Sequence, residues 1–207
     1  MNRQAMRRSV AQLLFTRGRP DETAERATMA SLGLEHPDRQ AYVPSAWWVL
    51  RWLLPRSEVQ PSDVFVEFGC GKGRIVLDAA RRYPFRRVTG VELSRELAEV
   101  AQSLVARERG RLRCPDVRIE TGDASEFSIP DDMTYAYLFN PFNGATFERV
   151  CANIVASLDR APRRLRVIYV KPVEHETLVA TGRFRPVRRV RTTRLVSTVE
   201  AAIYDAA

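Results

Sequence analysis

The sequence predicts a doubly wound α/β fold, and three observations carry that expectation. An apolar run, Val64 to Phe68, passes directly into glycines at alternate positions, Gly69, Gly71 and Gly73, and then into a helical stretch, Ile75 to Arg82. Strand, glycine loop and helix in that order open the ligand-binding half of doubly wound sheets. A second run, Arg87 to Glu92, ends in an acid 19 residues after Gly73. At that spacing such folds set a carboxylate against ribose hydroxyls. Strand-like and helix-like patterns then go on alternating as far as Arg194.

At 207 residues the chain has the length of one domain with an N-terminal appendage, and a substantial core is within its reach. The expected division is a basic, helical extension over 1–41 and a ligand-binding domain over 42–207. The net charge is +8, from 33 basic and 25 acidic side chains, so contact with an acidic partner such as nucleic acid stands beside a plainly solvated basic surface. Cys70, Cys114 and Cys151 are far apart and form no metal-site spacing, which predicts a reducing, cytoplasmic setting and no metal. The apolar stretches Ala11–Phe15 and Trp47–Leu54 are too short for a signal-peptide core and a bilayer span respectively, so no membrane role is expected.

Residues 1–19 hold five arginines and no acid, with Val10, Leu13 and Leu14 at helical spacing. A short amphipathic helix there would dock on the domain, touch an acidic partner or fray. Asp21 to Ala30 is polar and helix-favouring. Ser45 is placed to cap an apolar helix over Ala46–Leu54, and Pro55 to Asp63 links it to the first strand. Val64–Phe68 is β-branched and aromatic enough for a strand buried on both faces. The glycines permit positive φ and close approach of the backbone.

Ser94 caps the helix Arg95–Arg109, whose Leu97, Ala101, Leu104 and Val105 recur at helical spacing. Val117–Glu120 is the third strand and Gly122-Asp123-Ala124 the turn after it. Thr134–Phe139 is the fourth, and Asn140 at its carboxyl end is expected to point into the site. A helix over Gly144–Leu158, a strand over Arg164–Val170 and a short helix over Glu174–Ala180 follow. Arg183 to Arg194 holds six arginines and no acid, with Arg183, Arg185, Arg189 and Arg191 alternating as on a strand with one basic face. That face would meet RNA, DNA or an acidic substrate, or be simply solvated. Val196–Tyr204 is the last strand.

Glu67-x-Gly69-x-Gly71-x-Gly73 resembles motif I of the class I, Rossmann-like S-adenosylmethionine (SAM) methyltransferases. Gly-Val-Glu at Gly90 to Glu92, Gly122-Asp123-Ala124 and Asn140-Pro141-Phe142 follow in the family's order. The set is similar to small bacterial SAM methyltransferases and, more distantly, to non-SET histone lysine methyltransferases. The resemblance spans residues 42–204 and implies a seven-stranded sheet closed by an antiparallel pair, with SAM as cofactor. It implies that Glu67, Gly69, Cys70, Gly71 and Gly73 border its amino-acid end, that Glu92 holds the ribose, and that Asp123 and Ala124 meet the adenine. Tyr42 and Ser45 would belong to a segment covering the pocket.

Asn-Pro-Phe resembles the (Asn/Asp)-Pro-Pro-aromatic motif of amino-group methyltransferases, with phenylalanine where the second proline would stand. Asn140 is therefore the candidate catalytic residue, also near the cofactor, and an amine nitrogen the favoured acceptor, on a small molecule, protein or RNA. Tyr137 is a second positioning candidate but reads better as core, and His36 and His175 read as surface residues. Two other readings stay open. One is a nucleic-acid-binding protein on the same scaffold without catalysis. The other is an NAD(P)-dependent oxidoreductase, opposed by Arg74, which stands where a dinucleotide loop has its third glycine.

Overall fold

The computed structural model describes residues 21–194 and 197–206. The amphipathic helix expected within 1–19 lies outside them. Strands β1 (Val64–Phe68), β2 (Arg87–Glu92), β3 (Asp116–Thr121), β4 (Tyr135–Phe139), β5 (Arg166–Val170), β6 (Phe184–Arg194) and β7 (Ser197–Ala206) form one sheet in the order β3-β2-β1-β4-β5-β7-β6. β1 to β5 pair in parallel, and β7 runs antiparallel to both β5 and β6. Among the described residues five α-helices flank them: α1 (Val49–Leu53), α2 (Arg74–Arg82), α3 (Arg95–Glu108), α4 (Gly144–Arg160) and α5 (His175–Ala180).

The strand period divides the core into two layers. Phe65, Tyr135, Tyr137 and Ile168 face α1, α2 and α3, while Val66, Phe68, Ala136, Leu138 and Tyr169 face α4 and α5. With both faces covered, β1 is buried at every position, which is why it reads as apolar at every residue but Glu67. Tyr137 is fully buried in the core. No helix among the described residues is long and apolar enough to cross a membrane.

Four expectations are corrected. Asp21–Ala30 forms turns rather than a helix, followed by a single 3-10 turn at Ala30–Leu32. Long-range contacts override its local preference: Asp21 is bound by Arg74, and Ala27 pairs with Tyr42 in an isolated bridge. Ser45 does not cap α1, which starts only at Val49, and its carbonyl instead accepts from Arg74. The arginines of β6 do not share one face. A register shift between Pro186 and Arg188 reverses the alternation, so Phe184 packs into the α4–α5 layer and Val190 against the opposite one. Arg188 reaches the carbonyl of Leu53, and Arg183 pairs with Asp159. Finally, His175 is half-buried, its Nδ1 bonded to the Tyr204 hydroxyl at 2.7 Å.

Candidate active site

The strand order sets the chemistry-bearing residues side by side along the carboxyl edge of the sheet. Asp123 follows β3, Glu92 ends β2, the glycine loop follows β1, Asn140 follows β4 and Lys171 follows β5. One cavity is lined by Tyr42, Glu67, Gly69, Cys70, Glu92, Asp123, Ala124, Asn140 and Lys171. Gly71 and Gly73 complete the same loop, with Gly71 directly beneath the Tyr42 ring. The glycine loop, Tyr42, Glu67, Glu92, Asp123, Ala124 and Asn140 therefore come together at one place, where open α/β sheets bind ligands, whereas Tyr137 stays in the core outside the cavity.

The glycine loop turns on φ values of +70°, +55° and +75° at Gly69, Gly71 and Gly73. Its bare faces are taken by protein groups. A Cβ on Gly69 would lie 2.3 Å from Pro141, one on Gly71 2.2 Å from the Tyr42 ring, and one on Gly73 2.8 Å from Ala101. Gly73 occupies the N-cap of α2 and has no side chain to cap it. Glu67 supplies the missing acceptor from the preceding strand, taking the Val76 N–H at 3.1 Å. The Cys70 thiol packs against Gly90, and burial pushes it well above the usual thiol range.

Both oxygens of Glu92 are held by backbone, one accepting from Gly71 N–H at 2.7 Å and the other from Ser94 N–H at 2.9 Å. Ser94 caps α3 as expected, accepting from Leu97 N–H. Burial raises the Glu92 carboxyl, and these N–H donors oppose the rise. Asp123 serves as a turn residue through Oδ1, which accepts from Ser125 N–H at 2.8 Å, while Oδ2 lies 3.9 Å from Arg39. Asn140 holds a left-handed φ of +42°, and its Oδ1 accepts a long bond of 3.4 Å from the Tyr169 hydroxyl.

Over this edge lies a strap, residues 21–47, whose fastenings were not legible in the sequence. At one end Arg74 donates to Asp21 at 2.7 Å, to the Thr23 hydroxyl at 2.7 Å and to the Ser45 carbonyl at 2.8 Å. Its guanidinium stacks 4.8 Å from the centre of the Trp47 ring. At the other end Asp38 accepts from the N–H and hydroxyl of Thr146, capping α4 across the loop of Asn140-Pro141-Phe142. Gln40 N–H donates to the Pro141 carbonyl, and the Tyr42 hydroxyl to that of Thr23 at 2.8 Å. The one sequence clue to the first fastening was an arginine in place of a third glycine.

Burial holds the Glu67 carboxyl well above the ordinary glutamate value of 4.5, and the Glu92 charge adds to the shift. The folded state thus keeps a proton that the unfolded chain releases at lower pH. Stability contributed by Glu67 is present below pH 4.5 and lost as pH rises toward its folded value. Glu67→Gln keeps an oxygen for Val76 and cannot ionise. Its urea midpoint is expected to fall less between pH 5 and pH 8 than that of the native chain. Glu92 and Asp78, raised in the same sense, keep some slope. Equal slopes in variant and native protein would show that Glu67 does not titrate in this range.

A family described as a methyltransferase domain matches residues 65–161. The chain is 36% identical over 55 residues to a protein-lysine N-methyltransferase of Saccharolobus islandicus, covering 27% of this chain and 34% of that protein. It is 30% identical over 139 residues to a demethylmenaquinone methyltransferase of Symbiobacterium thermophilum, covering 65% and 49%. The chain thus spans between a third and a half of the length of these curated relatives. Among solved structures it is similar to an RNA methyltransferase from Salinibacter ruber in complex with S-adenosylhomocysteine. That match has a TM-score of 0.55 and 25% identity, and covers 79% of this chain and 92% of the other.

Proposed function

Because the chain belongs to the class I SAM-dependent methyltransferases, we propose that it moves the SAM methyl group to an amine nitrogen presented beside Asn140. The observation that carries this reading is the convergence on one cavity of the glycine loop, Glu92, Asp123 and Asn140 from four successive strand ends. The donor set fits the cofactor. Glu92 is a buried carboxylate suited to a ribose diol, Asp123 and Ala124 border the place of an adenine, and Glu67 with Gly69 and Cys70 would border the amino-acid end. When bound, SAM supplies an electrophilic methyl carbon on a sulfonium.

The protein's own part is then position and exclusion of water. Tyr42 and the strap close the cavity over Gly71, and Asn140 offers its oxygen to an incoming N–H. A neutral amine needs no strong base to react, and neither histidine of the chain lines the cavity. The relatives named above act on different acceptors, so the amine assignment rests on Asn140 rather than on them. The acceptor belongs to a small molecule, a protein or RNA. The free, buried thiols of Cys70, Cys114 and Cys151 support a cytoplasmic setting.

Calorimetric titration with SAM, S-adenosylhomocysteine and NAD tests the reading. Micromolar binding of the first two and none of NAD is expected, and NAD binding in their place would replace methyl transfer with hydride transfer. Asn140→Gly keeps a backbone that tolerates φ of +42° and removes the amide. With one hydrogen bond worth about 1 kcal/mol, turnover should fall about fivefold to tenfold while SAM affinity holds. Unchanged turnover would reduce Asn140 to a turn residue.

A further inference from the structure

Of the 33 basic side chains, 31 are arginines; only Lys72 and Lys171 are lysines. Lys72 is in the glycine loop, its ammonium 5.8 Å from the centre of the Tyr42 ring. Lys171 lines the cavity with its ammonium 5.3 Å from the centre of the Phe139 ring. A lysine is a compact point charge, unlike the forked guanidinium the chain uses elsewhere.

Lys171 also has an uncommon backbone. Asn140 and Lys171, with φ of +42° and +51°, are the two non-glycine residues of positive φ among the described residues. They are the next residues after the register pair Phe139 and Val170, so they stand together at the ends of adjacent strands. Asparagine tolerates that conformation, whereas lysine is strained in it, and such strain gathers at functional sites.

Charge then separates Lys171 from the other ions of the cavity. Glu67, Glu92 and Asp123 each accept backbone N–H groups, and Arg39 and Arg74 lie against Asp123 and Asp21. No carboxylate lies within ion-pair distance of Lys171 among the described residues, and its ammonium lies over the face of the Phe139 ring, which attracts a cation. The strand order puts it on the side of Asn140 away from Glu92 and Asp123. That is the side left for the acceptor.

We infer that Lys171 pairs with an anionic group, a carboxylate or a phosphate, carried by the methyl acceptor, so that the acceptor is an anionic amine. The inference rests on the methyltransferase reading of the same cavity.

The test uses the full chain labelled with ¹³C at the lysine ε-carbon and saturated with S-adenosylhomocysteine. Its spectrum has two signals, Lys72 and Lys171, assigned by the loss of one in Lys171→Gly. Glycine accepts the backbone at 171, so that variant folds. The probes are β-alanine, O-phosphoethanolamine and n-propylamine. At least one anionic amine should shift the Lys171 signal saturably, bind about tenfold or more tighter than propylamine, and lose that advantage in Lys171→Gly. Preference for β-alanine would identify a carboxylate, and for phosphoethanolamine a phosphate. An unmoved Lys171 signal, or equal binding of propylamine, with S-adenosylhomocysteine bound overturns this inference alone. Failure of S-adenosylhomocysteine to bind by calorimetry would remove the methyltransferase reading, and this inference with it.

Discussion

In the Arg74→Met variant, trypsin is expected to cut after Arg26 and Arg39 on the order of 10²–10³-fold faster than in the native chain, with the sheet still folded. Arg74 and Asp21 form an ion pair at 2.7 Å whose side chains are only 10% and 7% exposed. Removing one member of such a pair leaves the other buried and uncompensated, at a cost of about 3–5 kcal/mol. The Thr23 hydroxyl and the Ser45 carbonyl lose their donor in the same step, and Trp47 loses the guanidinium stacked on it.

The cost is expected to appear as local opening because of what else holds the strap. Between residues 21 and 47 the buried side chains are Thr23 and Ser45, both polar, and none is a large apolar group. A segment docked by polar contacts opens on its own, at a free energy below that of global unfolding. Proteolysis in the regime of fast opening and closing reads that population. Asp21→Asn with Arg74→Met should recover part of the loss, because the stranded charge is gone. A single variant cut at the native rate would mean that the Asp38 fastening alone holds the strap.

The two fastenings also show where sequence reading stopped. Glu67 to Arg74 was legible because strand, loop and helix are contiguous, and Glu92 because a βαβ unit fixes its distance from the loop. Asp21 meets Arg74 across 53 residues, and Asp38 meets Thr146 across 108. No local pattern encodes either pairing. The helix-favouring composition of Asp21–Ala30 was a true local preference that these contacts overrode. Alternation in β6 was likewise real but was reversed by one register shift, a feature that arginine, proline and valine do not announce. Asp123 closes its turn with one oxygen and faces Arg39 with the other, a contact across 84 residues that no local pattern encodes.

Glu92→Gln should weaken SAM binding nearly as much as Glu92→Ala, by about a hundredfold or more, although glutamine is the same size. Both oxygens of the native carboxylate face backbone N–H donors, Gly71 at 2.7 Å and Ser94 at 2.9 Å. Glutamine offers one acceptor and must turn its amide NH₂ toward one of those donors, so an N–H meets an N–H. If the oxygen stays with Ser94, the Gly71 amide loses its partner, and Gly71 carries the Tyr42 ring on its bare face. The strap is thereby disturbed along with the ribose contacts proposed for Glu92, each of which would be worth about 1.5–3 kcal/mol when charge-assisted. Glu92→Asp keeps the charge but not the reach, and should fall between the two. Calorimetry with SAM on the three variants gives the ranking. A glutamine variant that binds as the native chain does would show that neither the charge nor the second acceptor of Glu92 is used by the cofactor.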